Sequence, residues 1–389
     1  MTTSWAVSRS LERIALLCGS SLEDHELRAE VLSELGSIVP FTWFAWPLTD
    51  PETCTGVSPM ARIPCPQELP ALIRLKYVTS PGRWTSLLAG AEPAVTLQTA
   101  TGGDPDRSPL WSGILRRYDV ADVLSTVFAD SHGCWGWLDL WRSADERLFT
   151  DLETKHLAAA APIVAAGLRG SRAARMRRDS QPGREDQEHP DDSDHRLAHH
   201  RRLPASGLPQ QAVLTLDAGL AITGRSASAA DWLALLQPGP RPYEAVPAEV
   251  FNVAAQLLAR EAGVDSHAAS ARVPIGLGQW AVLRSFRMDV GRGGEAPLAV
   301  TIQECPAAER LEVFARCFGL TPRQRSLLGL AAGGLDTAAL AAALGISPYT
   351  VQDQFKAVFA ACGVRSRNAL LALALGTSAS ARRRENPSS

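Results

Sequence analysis

Gln352, Asp353 and Lys356 bring an amide, a carboxylate and an ammonium group into one short stretch, "GISPYTVQDQFKAVFAACGVRSR", residues 345–367. If residues 348–362 form a helix, spacings of three and four gather Tyr349, Asp353, Lys356 and Ala360 on one face. Gln352 and Gln354 lie on its flanks. Val351, Phe355, Val358, Phe359 and Cys362 fall on the opposite face as a stripe to be buried. The exposed face offers hydrogen bonding and charge, the chemistry that reads base edges and holds phosphates. It is sparing with charge: Lys356 is its one base and Asp353 its one acid.

Other residues invite sharper chemistry. His132 and Cys134 stand two apart and can share one strand face, as a metal, haem or thiol site would need. The plainer alternative is a turn histidine beside a packed cysteine. Trp135, Trp137 and Trp141 alternate, so all three are expected on one face, as core or as the border of an aromatic ligand pocket. His189, His195, His199 and His200 follow no regular spacing. The seven cysteines form no CxxC and no zinc-finger pair with histidine, and read as free thiols in a reducing cytosol. The chain lacks GxSxG, HExxH, the phosphate-cradling GxxxxGK[ST] and a dinucleotide fingerprint. No apolar strands ending in paired aspartates mark a phosphoacceptor receiver domain. The expectation is a protein that is not an enzyme, with no catalytic residues, no cofactor and no metal.

The elements that would hold these residues begin with the length of the chain. At 389 residues it calls for two or three domains. A net charge of −2 gives no overall pull toward nucleic acid or membrane, so only local clusters can. No apolar run reaches membrane-spanning length, and the start lacks the pattern of a signal peptide. A cytoplasmic location is expected, with no membrane partner.

Residues 1–168 hold eight of the ten tryptophans. Helical spacing shows at 5–17 and 22–35, and "FTWFAW" (41–46) reads as a strand. Residues 122–130 and 133–141 read as two strands joined at Ser131-His132. Thr150 and Glu153 form a capping box that opens a closing helix, which Pro162 should bend or interrupt. This order predicts an α+β domain. Residues 169–209 run from a basic block into an acidic, histidine-rich one and are expected to be a flexible linker. Residues 210–306 read strand, turn, strand, short helix, then further strands, one preceded by the glycine-rich turn "VGRGGE". Residues 307–318 are a connector, and 377–389, with Arg382, Arg383 and Arg384, a disordered tail.

In residues 319–376 the local signals predict four short helices. Thr321-Pro322 with Gln324 is a cap, a first-turn proline and a capping-box partner. Gly333-Gly334 ends that helix, Asp336 caps the next and Gly345 ends it. Ser347-Pro348 opens the third, Gly363 closes it, and Ser366 caps the fourth. The layout is that of a helix-turn-helix.

The passage "LTPRQRSLL", the stretch "LAAALGISPYTV" and "GVRSR" together resemble the LuxR-type helix-turn-helix of bacterial transcription regulators, over about the last sixth of the chain. Residues 120–168, "VADVLSTVFAD" onward, resemble a GAF-type sensor domain. The opening strand-Asp-Gly-strand of "QAVLTLDAGLAITG" makes residues 210–306 resemble a PAS-like domain, although the asparagine usual near Gly224 or Arg225 is absent. The missing phosphate loop argues against the large ATPase-containing LuxR-type regulators. Departures are concentrated in charge. Gln352 stands for a usual lysine, Gln354 for a histidine, Ala361 for a lysine and Ala339 for a glutamate.

The resemblance implies that positions 352, 353 and 356 face the bases. Gln352 suits adenine N6/N7, Lys356 guanine O6/N7 or phosphate, and Asp353 cytosine N4. Tyr349 can donate to phosphate. Arg323, Arg365 and Arg367 are assigned to the DNA backbone, and Ser347 and Thr350 complete the contacting set. Five basic residues over 320–376 (Arg323, Arg325, Lys356, Arg365, Arg367) against Asp336 and Asp353 leave a net charge of +3. So modest a charge points to a homodimer on promoter DNA, with RNA polymerase as a further partner and the small-molecule effector unidentified. The alternative is a sensor or scaffold that works by protein contacts, its C-terminal module no longer binding DNA.

Overall fold

The Thr150 hydroxyl accepts a hydrogen bond from the Glu153 amide while the Glu153 carboxylate accepts one from the Thr150 amide, so the expected capping box is formed. It starts the long helix that ties the molecule together. The computed structural model describes residues 4–180, 207–237, 246–289 and 296–376. The histidine-rich part of the expected linker, the "VGRGGE" turn and the expected tail lie outside the described residues.

The first segment runs α1 (Ser4–Cys18), α2 (Asp24–Ile38), β1 (Trp43–Thr49), β2 (Gly56–Arg62), α3 (Leu69–Val78) and α4 (Trp84–Ala89). Then come β3 (Ala94–Thr96), α5 (Leu97–Thr101), α6 (Pro109–Gly113), β4 (Val120–Asp130), β5 (Gly133–Ser143) and α7 (Asp151–Asp179). The strands form an antiparallel sheet in the order β2-β1-β5-β4-β3. Ser131-His132 makes the β4–β5 turn, as expected, and Val127 pairs with Trp137 and Val123 with Trp141. Helices α1 and α7 pack together beside this sheet, with His156 near Ser10 at 3.4 Å.

Of the expectations about α7, the linker is corrected and the interruption at Pro162 does not occur. The helix continues through Pro162, and it does not give way to a flexible linker at Arg169. Residues 169–179 are helical because the buried stripe goes on: Ala161, Ala165, Leu168, Arg172 and Met176 keep helical spacing. Arginines on the other faces find acids of α2 and its cap, Arg175 to Asp24 at 3.7 Å and Arg178 to Glu23 at 3.2 Å.

The second segment comprises β6 (Ala212–Leu216), β7 (Ile222–Arg225), α8 (Ala229–Leu236), α9 (Ala248–Glu261), β8 (Ser270–Gly276), β9 (Gln279–Arg287) and β10 (Leu298–Glu304). Its sheet is also antiparallel and five-stranded, in the order β7-β6-β10-β9-β8. The Asp217 carboxylate accepts from the Ala221 amide at 2.8 Å and closes the β6–β7 hairpin. The expected connector is a helix, α10 (Ala307–Cys317). The four predicted helices follow: α11 (Pro322–Ala332), α12 (Thr337–Leu344), α13 (Pro348–Cys362) and α14 (Arg367–Leu375). Two antiparallel sheets with helices make a mixed α+β chain of several parts, the class the sequence predicts. Among the described residues no single helix is long and apolar enough to cross a membrane.

One continuous apolar core runs through all three parts. Charged groups are buried where the first two meet. Asp50, fully buried after β1, receives two hydrogen bonds from the Arg272 guanidinium of β8, at 2.6 and 2.7 Å. Arg83, also fully buried, pairs with Asp265 at 2.6 Å and donates to Gln256 of α9 at 3.0 Å. Asn252 of α9 donates to the Gly56 carbonyl at 2.8 Å, and the Ser58 amide donates to Glu249 at 2.7 Å.

Candidate nucleic-acid interface

Helix α13 is set by local chemistry at both ends. The Ser347 hydroxyl accepts from the Thr350 amide at 3.1 Å, and proline occupies the first turn. Gly363 closes the helix at φ 70°, a left-handed conformation that glycine adopts at least cost. Gly345 does the same for α12 at φ 63°, and so sets the tight turn between the two helices. Val351, Phe355, Val358 and Cys362 are buried, with Phe359 half-buried beside them. That stripe packs α13 against α11, α12 and α14.

The opposite face is open. Tyr349 is 70 % exposed, and Gln352 and Lys356 are exposed. Gln354 and Asp353 are half-buried. Ser347 and Thr350 hold each other, hydroxyl to hydroxyl, at 2.9 Å. Lys356 donates to the Asp353 carboxylate at 3.0 Å, so the single cation of this helix is locally balanced by its single anion. Both groups are solvated, and such an exposed pair is easily exchanged for another partner.

The candidate arginines divide. Arg323 and Arg365 are exposed and make no ion pair among the described residues. Arg367 turns inward: its guanidinium donates to the carbonyls of Ala331 and Leu335 and lies 5.6 Å from the Phe355 ring centroid. Its evident role is to hold the end of α11 against α13. Arg325, outside the candidate set, pairs with Glu312 of α10 at 3.0 Å.

Two arginines that the sequence reading missed anchor this unit from outside. Arg177, in the last turn of α7, donates to the carbonyls of Cys362 and Ala361 at 3.1 and 3.3 Å. Arg310 of α10 donates to the carbonyls of Ala374, at 2.9 Å, Leu373, at 3.3 Å, and Gly278. Each meets the negative end of a helix dipole, α13 and α14 respectively. The two arginines were visible in the sequence; their distant partners were not.

The tryptophan candidates do not form one wall. A bulge between Phe128 and Ala129 leaves Trp135 out of the alternation, and its indole N–H donates to Asp130 at 2.9 Å. Asp130 in turn pairs with Arg169 of α7 at 2.8 Å. Trp137 stacks on Trp84 at 5.0 Å between centroids, and Trp141 belongs to a separate apolar cluster with Leu72, Leu110 and Val123. Above Trp137 lies Lys76, 4.9 Å from the ring and 2.6 Å from Asp139. All three tryptophans are buried.

His132 and Cys134 also part. The His132 carbonyl accepts from Arg316 of α10 at 2.9 Å, and the Cys134 thiol is buried as a hydrogen-bonding neighbour of Cys54. All seven cysteines are free thiols, and no group of three or more metal-ligating side chains occurs among the described residues.

The remaining electrostatic centre lies where the first two segments meet. His267 Nδ1 lies 2.6 Å from Asp265, whose carboxylate is held well below its ordinary range by His267 and Arg83. The bond to Asp265 raises the His267 pKa above its ordinary value. Asp50 is likewise lowered, because Arg272 more than offsets the penalty of burial. No protein-family model matches the chain, and no curated protein sequence matches it significantly.

Proposed function

We propose that this chain is a DNA-binding transcriptional regulator of the LuxR type. In this reading residues 1–168 are a GAF-like sensor domain, 210–306 a PAS-like domain and 319–376 the helix-turn-helix. The observation that carries it is the capped helix α13, buried along Val351, Phe355, Val358 and Cys362, with Tyr349, Gln352 and Lys356 left open on its N-terminal half. That is the surface a recognition helix presents to the major groove. Gln352, Asp353 and Lys356 read base edges; Ser347, Tyr349 and Thr350 meet the backbone at the helix start. Arg323 and Arg365 hold phosphates, and Arg367 supports α13 from behind. The regulator acts as a homodimer on promoter DNA, performs no catalysis, and works in the cytoplasm.

One observation favours a second reading, a scaffold acting by protein contacts: Lys356 is already paired with Asp353, and Arg367 is spent inside the fold. Selection of bound fragments from randomised duplex DNA separates the two. The DNA-binding reading expects an enriched motif for the full chain and loss of sequence preference for Lys356→Ala. An unenriched pool from the wild type supports the scaffold. A uniform loss over all sequences in Lys356→Ala assigns that lysine to phosphate alone.

A further inference from the structure

Cys54 lies in the turn between β1 and β2, and Cys134 stands at the start of β5. That turn is laid directly on the strand. The Cys134 amide donates to the Pro51 carbonyl at 3.0 Å, and the Thr49 hydroxyl donates to the Cys134 carbonyl at 2.7 Å. Gly133 permits the approach, since a Cβ there would collide with the Pro51 carbonyl oxygen. The other side of the turn is pinned by the Trp84 indole N–H, which donates to the Cys54 carbonyl at 2.9 Å. Between these two fixed backbones the Cys54 thiol donates to the Cys134 sulfur. None of the other five cysteines has a second cysteine as a hydrogen-bonding neighbour among the described residues.

The contact makes the two thiols unequal. The hydrogen bond from Cys54, helped by Thr49 and by the His267 imidazole nearby, holds the Cys134 pKa below its ordinary value in spite of burial. The same bond, with burial, raises Cys54. Burial lifts Cys18, Cys65 and Cys317 to about 11, and Cys305 and Cys362 to about 12. A thiolate is the form that attacks a peroxide, and a thiol beside it converts the product to a disulfide.

We propose that Cys54 and Cys134 are an oxidation site, joined in a disulfide by a small hydroperoxide such as hydrogen peroxide. In the first step the Cys134 sulfur attacks one peroxide oxygen. The S–O bond forms, the O–O bond breaks, and the departing hydroxide takes up a proton to become water. In the second step the Cys54 sulfur attacks Cys134. The S–S bond forms, the S–O bond breaks, and hydroxide leaves with the Cys54 proton as a second water. Two thiols are oxidised and one peroxide is reduced. Both sulfurs are buried, but Glu52 and Ser131 beside them are exposed, so an oxidant of this size needs only a local opening of the turn. The same turn carries Asp50, Glu52 and Thr53, which bond to Arg272 and Ser270 of β8. The disulfide thus ties the turn at the joint to β5. The inference does not depend on DNA binding.

The test treats the full, folded chain with increasing hydrogen peroxide, blocks the remaining thiols with iodoacetamide in denaturant, and maps peptides by mass spectrometry without reduction. One crosslinked product, Cys54 to Cys134, should dominate, lighter than the two free peptides by two hydrogens and reversed by dithiothreitol. The same treatment of the chain unfolded in urea should give mixed pairings without this preference. A folded wild type that lacks the crosslink once the more exposed Cys18 is oxidised overturns the proposal. So does a dominant crosslink between any other cysteines, or the same pairing preference in urea. Two variants test the order of the steps. Cys54→Ala should leave a sulfenic acid on Cys134 that dimedone traps, whereas Cys134→Ala should leave Cys54 a thiol. Trapping on Cys54 in Cys134→Ala, with none on Cys134 in Cys54→Ala, overturns the assignment of Cys134 as the attacking sulfur.

Discussion

Arg177 donates to the carbonyl of Cys362 across 185 residues of sequence, at 3.1 Å. The first residue lies in the last turn of the long helix that leaves the N-terminal sheet; the second ends the helix proposed to read DNA. A cation at a helix C-terminus is favourable, and here it also sets where α13 stands relative to α7. Arg177→Ala is therefore expected to destabilise the folded chain by about 1–2 kcal/mol. Hydrogen exchange should show the loss locally, as faster exchange in α13 and α14 than in the sheets. Uniform acceleration over the whole chain would contradict this placement.

The joint between the first two segments rests on Asp50 and Arg272, both buried. Removing one partner leaves the other charged and alone. Arg272→Met should cost about 3–5 kcal/mol in urea unfolding. Replacing both, as Asp50→Leu with Arg272→Met, should recover most of that loss, since a buried pair is often matched by apolar residues of similar size. A double variant as unstable as the single would show that the pair holds the joint by geometry that apolar packing cannot replace.

His267 makes this joint sensitive to pH. The groups facing it are Asp265 on its own loop, Arg83 between α3 and α4, and Cys134 of β5. Its folded pKa is raised, so its stabilising contribution is full below the ordinary imidazole value of about 6.5 and is lost as pH rises through the folded value. Wild-type Tm should carry a component that falls as pH rises above that point. His267→Asn should lack this component. An unchanged pH profile in the variant would rule out the coupling.

The exposed pair Asp353 and Lys356 predicts an unusual gain. Asp353→Asn removes the carboxylate that holds Lys356 at 3.0 Å and removes a negative charge from the open face. Nonspecific affinity for duplex DNA should rise, and preference at the base pair facing position 353 should relax. Weaker nonspecific binding by Asp353→Asn would mean that the carboxylate orients Lys356 rather than masking it.

What could be read in advance was local. Thr150, Thr321, Asp336, Ser347 and Ser366 all accept the cap hydrogen bonds expected of them, since a cap and its partner are three residues apart. Strand alternation placed the β4–β5 hairpin but failed at Trp135, because a bulge depends on both strands. Residues 169–179 looked like linker because arginines dominate their composition. The stripe through Arg172 and Met176 emerges only when α7 is followed as one helix. The pairs Asp50 with Arg272 and Arg83 with Asp265 join residues 222 and 182 positions apart, and no spacing rule reaches that far. At the candidate interface the open face of α13 was legible, whereas the inward turn of Arg367 depends on carbonyls of another helix.

If this chain binds DNA through cations around α13, as proposed, its affinity must depend on salt. Binding of the full chain to duplex DNA should be measured over a range of salt concentrations for wild type, Arg323→Ala and Arg365→Ala. Binding is expected at low salt, with log affinity falling linearly against log salt concentration. Each variant should weaken binding to all sequences alike and reduce the slope by about 1. No binding by the wild type at low salt, or slopes unchanged in both variants, would contradict it.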